Sequence, residues 1–185
     1  MARRDVRAEM ISGASELLAS HGVQGTSFAL VLETTGAPRG SIYHHFPGGK
    51  NELVLAAIAS AGESVTALID ATDADSPQDI VRMFIGGWRN LLTTAQFERG
   101  CVLAAASQTA EHETDIRVAA DRYFTEWREA LARALVRSGD DPTAADDHAA
   151  LLIAAVEGAL LMGRAARSAE IFDVLERQLP GLLGR

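Results

Sequence analysis

The apolar residues of this chain follow helical spacing along its whole length, and this pattern limits the available folds more than any other feature. Valine and isoleucine fall within that spacing. No Asn-Gly or Asp-Gly pair, the usual signal of a tight β-hairpin, is present. We therefore predict an all-α fold of about nine helices.

Glycine, proline and polar runs mark the ends of the predicted helices. Thr26 or Ser27 is placed to cap a short helix that ends at Gly36, and Pro38 is placed to open the next helix at its first position. The other helices are predicted over residues 3–20, 39–45, 50–72, 78–95, 100–108, 114–137, 143–166 and 169–179.

Charge is divided unevenly along the chain, although its net value is −8. Residues 1–50 contain five Arg or Lys against four Asp or Glu, which gives +1. Residues 51–185 contain twelve Arg against twenty-one Asp or Glu, which gives −9. Because an acidic surface repels the phosphates of nucleic acid, any contact with DNA must come from the N-terminal part.

Three features indicate a cytoplasmic protein without a membrane partner. Cys101 is the only cysteine, so no intramolecular disulfide can form. The first ten residues carry five charges and lack the apolar run of a signal peptide. The longest apolar stretch, Ala149–Ala155, is too short to span a bilayer.

The segment from Ser27 to Phe46 has the spacing of a helix-turn-helix: a short helix, a turn containing glycine and a second short helix. Ile42 and Phe46 are four residues apart and therefore share the face that anchors the second helix. Arg39 and Ser41 lie on other faces, where Arg39 suits guanine or phosphate and Ser41 suits either bases or phosphates. Gly40 would let the backbone approach DNA closely.

Tyr43 and one of the two histidines, His44 and His45, are expected to bind phosphate. Lys50, the only lysine, follows Gly48-Gly49, whose backbone N–H groups we expect to be free for a phosphate. From spacing alone, the same segment could be an ordinary helical turn of a bundle, with Tyr43 in the core and the histidines merely on the surface.

The segments Thr26-Ser27, Thr35–Phe46 and Lys50–Leu53 together resemble the signature of the TetR family, and Pro47–Lys50 resembles its LmrA/YxaF-like branch. The resemblance implies an all-helical homodimer with a DNA-binding domain at 1–49 and an effector-binding and dimerisation domain at 50–185. It also implies that DNA is contacted by Ser27, Arg39, Gly40, Ser41, Tyr43, His45 and Lys50.

The chain departs from the family pattern at four positions. Ala29 and Leu30 stand where many relatives carry polar or acidic residues, which puts contacts from the first helix of the motif in doubt. Leu32 replaces a commonly small residue. Pro38 replaces the usual Ser or Thr, which removes a hydroxyl that could contact phosphate.

The aromatic residues of the C-terminal part form two stripes at helical spacing, Phe84 with Trp88 and Phe124 with Trp127. The stripes could line an apolar cavity for a small molecule or fill an ordinary core. The stretch around Cys101 resembles part of the LmrA/YxaF-like branch, which places Cys101 near the pocket wall. The predicted pocket residues are Phe84, Trp88, Cys101, Phe124, Trp127 and Met162.

Residues 143–166 are rich in alanine, which permits close approach of helices, and with 169–179 they could form a four-helix dimer interface. A helix buried within one chain would have the same composition. Glu157 interrupts this stretch, either at the rim or as a paired buried charge. The predicted interface residues are Ala154, Gly158, Leu161, Phe172 and Leu175.

These features favour a DNA-binding transcriptional regulator, a repressor released from a palindromic operator by a small apolar effector. The alternative is a helical small-molecule-binding protein that does not bind an operator, which the acidic C-terminal part keeps open. We expect no catalytic activity, cofactor or metal, since no nucleophile-base pair or metal-ligand spacing stands out.

Overall fold

A computed structural model describes residues 5–109 and 113–182 of the chain. Over these residues it contains nine α-helices and no β-strand, which confirms the predicted fold class. The helices are α1 (Val6–Gly25), α2 (Phe28–Thr35), α3 (Arg39–His45), α4 (Lys50–Asp70), α5 (Pro77–Thr94), α6 (Val102–Ser107), α7 (Thr114–Arg137), α8 (Ala145–Ala166) and α9 (Glu170–Leu182).

The predicted boundaries of α3 and α7 are confirmed, and those of α1 and α9 differ most. Gly22 has a positive φ of 70° and kinks α1 just beyond its predicted end at residue 20, and the helix runs on to Gly25. The Thr26 hydroxyl donates to the Gly22 carbonyl at 2.9 Å, which satisfies an acceptor at that kink. α9 continues to Leu182 with Pro180 inside it.

The chain divides into two compact units, and the first contains the chain up to Glu63 together with Val102–Tyr123. Its core includes Met10 and Leu18 of α1. α6 packs against α1, so a segment distant in sequence joins the N-terminal helices. This unit is larger than the DNA-binding domain predicted over 1–49, and that boundary stays a prediction.

The second unit contains Ser64–Cys101 and the chain from Phe124 onward. Within it α5 packs against α8 and α9. The Arg89 guanidinium on α5 binds two carboxylates of α9, Asp173 at 2.7 Å and Glu176 at 3.1 Å. Trp127 and Phe172 are among its largest fully buried side chains. These contacts hold the helices that carry the aromatic residues.

By length and composition alone, α4 and α8 could cross a membrane. The expectation that no stretch is long enough to span a bilayer was based on uninterrupted apolar runs. α8 is apolar on both sides of Glu157, so the whole helix is longer than any such run. Core helices commonly have the same composition, and α4 contributes the fully buried Leu53, Val54 and Ile58.

Candidate nucleic-acid interface and ligand cavity

α2, its turn and α3 form a helix-turn-helix whose ends have local causes. The Ser27 hydroxyl caps α2 by accepting from the Leu30 N–H at 3.3 Å. Gly36 ends α2 in the left-handed conformation, φ 65° and ψ 18°, as predicted. Pro38 was predicted at the first position of α3. It has extended backbone and is instead the N-cap residue, one position before the helix begins.

The inner face of α3 is anchored as the spacing predicted. The side chains of Ile42 and Phe46 are both fully buried. The Arg7 guanidinium of α1 lies over the Phe46 ring, 5.2 Å from its centroid. Cations are attracted to the face of an aromatic ring, so this contact fixes a positive charge next to the motif. Sequence reasoning missed Arg7, because only the three-dimensional fold places it at Phe46.

The outer face of α3 is open. Arg39, Gly40 and His44 are exposed, and the Tyr43 side chain is 69% exposed. The Tyr43 ring packs edge-on against Phe28 of α2, with centroids 5.6 Å apart and planes at 80°. This arrangement orients the tyrosine and leaves it accessible, which excludes the core position that spacing alone allowed.

Ser41 and His45 are less open than their neighbours. The Ser41 hydroxyl donates to the Pro38 carbonyl at 2.6 Å, so its hydrogen is already used within the turn. A phosphate offers only acceptors, so Ser41 would have to rotate its hydroxyl to bind one. His45 is half-buried, with its ring 5.3 Å from that of His44.

The expectation that Gly48 and Gly49 offer free backbone N–H groups is wrong. Gly48 donates its N–H to the Glu52 carboxylate at 2.7 Å, and Gly49 donates to the Phe46 carbonyl at 3.0 Å. Glu52 lies in the first turn of α4, where a carboxylate is favoured by the helix dipole and by free N–H groups. The Gly48 and Gly49 N–H groups are therefore not free for a phosphate, and the Lys50 side chain supplies the positive charge at this turn.

The charge of this surface suits an anionic partner. α3 contains no Asp or Glu. Among the described residues, neither Arg39 nor Lys50 forms an ion pair. Both cations therefore keep their full donor capacity for a ligand.

The second unit contains a cavity of about 300 Å³ between α4, α5 and α7, open to solvent on one side. Phe84 and Trp88 line it, as predicted. Trp127 is buried behind Trp88 with ring centroids 5.6 Å apart, and Phe124 packs edge-on against Trp127 at 5.5 Å. The two aromatic stripes meet, but only the α5 stripe borders this cavity.

Two other predicted pocket residues lie away from this cavity. Met162 is 57% exposed on α8 and is not among the residues that line this cavity, so its place in a ligand pocket stays a prediction. α8 turns this part of its surface outward. Cys101 is buried, but its thiol hydrogen-bonds to Glu157 of α8 and does not border the cavity. Burial raises the pKa of the Glu157 carboxyl to about 7, and the Cys101 hydrogen bond partly offsets that rise.

α8 and α9 carry an exposed apolar surface. Ala154, Gly158 and Leu161 are exposed on α8, as an interface would require, and Leu175 of α9 is half-buried. Phe172 was predicted to contact a second copy of the chain. It is fully buried inside its own chain and so cannot make that contact directly. Other exposed large apolar residues of this surface are Leu151, Met162 and Val174.

Within the described part of the chain, no three His, Cys, Asp or Glu side chains come together as a metal site would require.

Two family models match the chain. The model described as "Bacterial regulatory proteins, tetR family" matches residues 10–57, which include α2 and α3. The model described as "Transcriptional regulator LmrA/YxaF-like, C-terminal domain" matches residues 77–178. The second match alone covers more than half of the chain.

Curated relatives are similar over almost the full length. An uncharacterized HTH-type transcriptional regulator of Mycobacterium tuberculosis is 34% identical over 183 residues, 96% of this chain and 93% of that protein. The HTH-type transcriptional regulator LmrA of Bacillus subtilis is 27% identical over an alignment of 188 positions, which covers 100% of both chains.

Solved structures share the fold. A TetR transcriptional regulator from Legionella pneumophila has a TM-score of 0.83 at 21% identity and covers 99% of this chain and 100% of its own. A cysteine mutant of the TetR family regulator CifR, solved with 26 bp of double-strand operator DNA, has a TM-score of 0.78 at 20% identity, with 97% of each chain covered.

Proposed function

The chain belongs to the TetR family of bacterial regulatory proteins and has an LmrA/YxaF-like C-terminal domain, and we propose that it is a repressor whose homodimer binds a palindromic operator until a small apolar effector releases it. It is a DNA-binding transcriptional regulator, and such regulators are not enzymes. We further propose that it acts in the cytoplasm, where operator DNA is accessible.

The observation that carries the proposal is the two-sided character of α3. Ile42 and Phe46 are fully buried on one side, while Arg39, Tyr43 and His44 are exposed on the other. A recognition helix needs this division, since one face must fix its position and the other must reach base edges and phosphates. Ser27, Gly40, Ser41, His45 and Lys50 complete the proposed contact surface, in which Gly40 contributes only backbone.

The proposed contacts divide into positioning and reading. Arg39 has the planar donor geometry that recognises guanine in the major groove, whereas Tyr43, His44, His45 and Lys50 suit phosphates. The N-terminal part supplies this surface in a chain whose remainder carries −9, so electrostatic attraction to DNA is directed to one end.

A dimer is supported by the exposed apolar surface of α8 and α9. Apolar patches of this kind usually mark an interface. Helix-turn-helix dimers bind two half-sites about 34–36 Å apart, which gives a palindromic operator. The small residues Ala154 and Gly158 would allow two α8 helices to approach closely. Phe172 would support this surface from within its own chain.

Gel-shift binding to the DNA upstream of the chain's own gene tests the proposal. We expect the Arg39→Ala, Tyr43→Ala double variant to lose binding at least about a hundredfold, since the bidentate base contact of Arg39 contributes about 1–3 kcal/mol in each of the two half-sites and the Tyr43 phosphate contact is lost as well. Arg137→Ala, which removes an exposed arginine at the end of α7, is the matched control and should bind as the unchanged protein does. Equal binding by the double variant and the control would refute the assignment of α3.

A further inference from the structure

The cavity of the second unit has an entirely uncharged lining. Its twelve lining residues include no Asp, Glu, Lys, Arg or His. Side-chain heteroatoms come only from the Thr72 hydroxyl, the Trp88 indole and the Met83 sulfur. The Thr72 hydroxyl already donates to the Leu68 carbonyl at 2.9 Å. An occupant would therefore meet hydrocarbon and aromatic carbon almost everywhere.

The basic side chains next to this lining are already paired. Arg133, adjacent to Ala134, binds Asp70 at 3.3 Å, and Arg82, adjacent to Met83, binds Asp79 at 2.8 Å. A carboxylate held against the enclosed wall of the cavity would lose hydration without gaining a cation from the lining. An ammonium group there would lose hydration without gaining a carboxylate from the lining. Burial of an unpaired charge is strongly unfavourable, so the cavity selects against both kinds of ion.

The volume limits the size of the occupant. A cavity of about 150 Å³ holds benzene, and the cavity here has about 300 Å³. Two fused rings or an alicyclic molecule of similar size would fill it. A partner helix, about 10 Å across, would not fit.

Gly87 keeps part of this space empty. It lies on the cavity wall, and a Cβ atom built there would meet no atom within 4 Å. The Cβ atom of a larger side chain at this position would displace no neighbouring atom, and the rest of that side chain would extend into the cavity.

We propose that the cavity binds an electrically neutral, apolar molecule of about two fused rings, and that Gly87 sets the upper limit on its size. The inference rests on the proposed function only in naming this molecule as the effector. The chemistry of the lining is independent of DNA binding.

Methyl NMR of the full chain labelled with carbon-13 at its methionine methyl groups tests the charge selectivity. Met83 lines the cavity, whereas Met10 lies in the core of the first unit and Met162 lies exposed on α8, so these two serve as references. Matched probes are 2-methylnaphthalene, 2-naphthoate and protonated 2-naphthylmethylamine. We expect the neutral probe to shift the Met83 signal and bind at least about tenfold more tightly than either ion.

Substitutions at two adjacent glycines test the size limit. Gly87→Ala and Gly87→Leu should weaken binding of 2-methylnaphthalene progressively, with a loss of at least about tenfold for leucine. Gly86→Leu is the matched control, because Gly86 lies on the same helix, also has no atom within 4 Å of an added Cβ, and is not among the lining residues. We expect it to bind as the unchanged protein does, with the same helical circular dichroism.

Comparable binding of either ion, or unchanged binding in Gly87→Leu, would overturn the inference. So would a Met83 signal that shifts with protein concentration in the absence of probe, which would identify a second copy of the chain as the occupant. A separate gel shift with and without 2-methylnaphthalene reports on effector release. Binding at Met83 without release would support the cavity assignment and contradict the proposed effector mechanism.

Discussion

The Cys101 thiol hydrogen-bonds to the Glu157 carboxyl in the second unit, and no cation pairs with that carboxyl among the described residues. Glu157 lies on α8 between the exposed Ala154 and Leu161. Its carboxyl is therefore held close to the proposed dimer surface, where its partner is a weak thiol donor. Its protonation state consequently affects the free energy of unfolding.

Glu157→Gln is expected to remove a pH-dependent part of the free energy of unfolding. The pKa is raised from 4.5 to about 7 in the folded state. Protonation therefore favours folding: the contribution is complete below about pH 4.5, declines as the pH rises and is lost above about pH 7. Between pH 5 and 8 the free energy of unfolding of the unchanged protein should fall by about 1–3 kcal/mol relative to that of the variant.

Urea unfolding of both proteins at several pH values measures this difference. Glu129→Gln, at an exposed position of α7, is the control and should follow the pH dependence of the unchanged protein. Parallel pH profiles for Glu157→Gln and the unchanged protein would contradict the raised pKa.

Gly62→Ala is expected to destabilise the first unit. An added Cβ would lie 2.3 Å from two ring carbons of Tyr123, a contact that one of the two helices must move to avoid. Overpacking of this kind costs about 1–3 kcal/mol. Gly86→Ala, inside α5 with open space around its Cβ, should instead gain up to about 1 kcal/mol from helix propensity. The melting temperatures of the two variants should therefore move in opposite directions, and a rise for both would show that Gly62 is not sterically required.

Leu161→Glu is expected to convert the protein to a monomer without unfolding it. The Leu161 side chain is 69% exposed in the protomer, so a carboxylate there is solvated until a second copy covers it. Val136→Glu, at an exposed apolar position of α7, is the control and should leave the dimer intact. Sedimentation velocity distinguishes the species, and a Leu161→Glu protein that still sediments as a dimer would exclude this surface.

Lys50→Ala is expected to weaken binding to operator and unrelated DNA by similar factors. A phosphate contact carries no sequence information, and its loss from both protomers of the proposed dimer should reduce the slope of log affinity against log salt by about two, one for each Lys50. Arg137→Ala should leave that slope unchanged. Gel shifts over a series of salt concentrations measure both slopes, and an unaltered slope for Lys50→Ala would remove Lys50 from the contact surface.

Local features of the fold could be predicted because their causes are local. Burial of Ile42 and Phe46 follows from helical spacing, and the left-handed end of α2 follows from a glycine at Gly36. The prediction that the Gly48 N–H is free was wrong although its cause is equally local. It did not consider that the Glu52 carboxylate, four residues later, could accept from that N–H. Knowing that a donor exists does not identify the acceptor that it will find.

The sequence by itself determined the nine-helix pattern and the helix-turn-helix, since these depend on neighbours a few residues apart. It also determined that the acidic excess lies outside the N-terminal part, with +1 over residues 1–50 against −9 over residues 51–185. Only the tertiary structure decided that Phe84 and Trp88 face a cavity, that Met162 faces outward and that Phe172 is buried in its own chain. The physical reason is that an amphipathic pattern records which face of a helix is apolar. Whether that face meets a helix of the same chain, a cavity or solvent depends on packing between residues far apart in sequence.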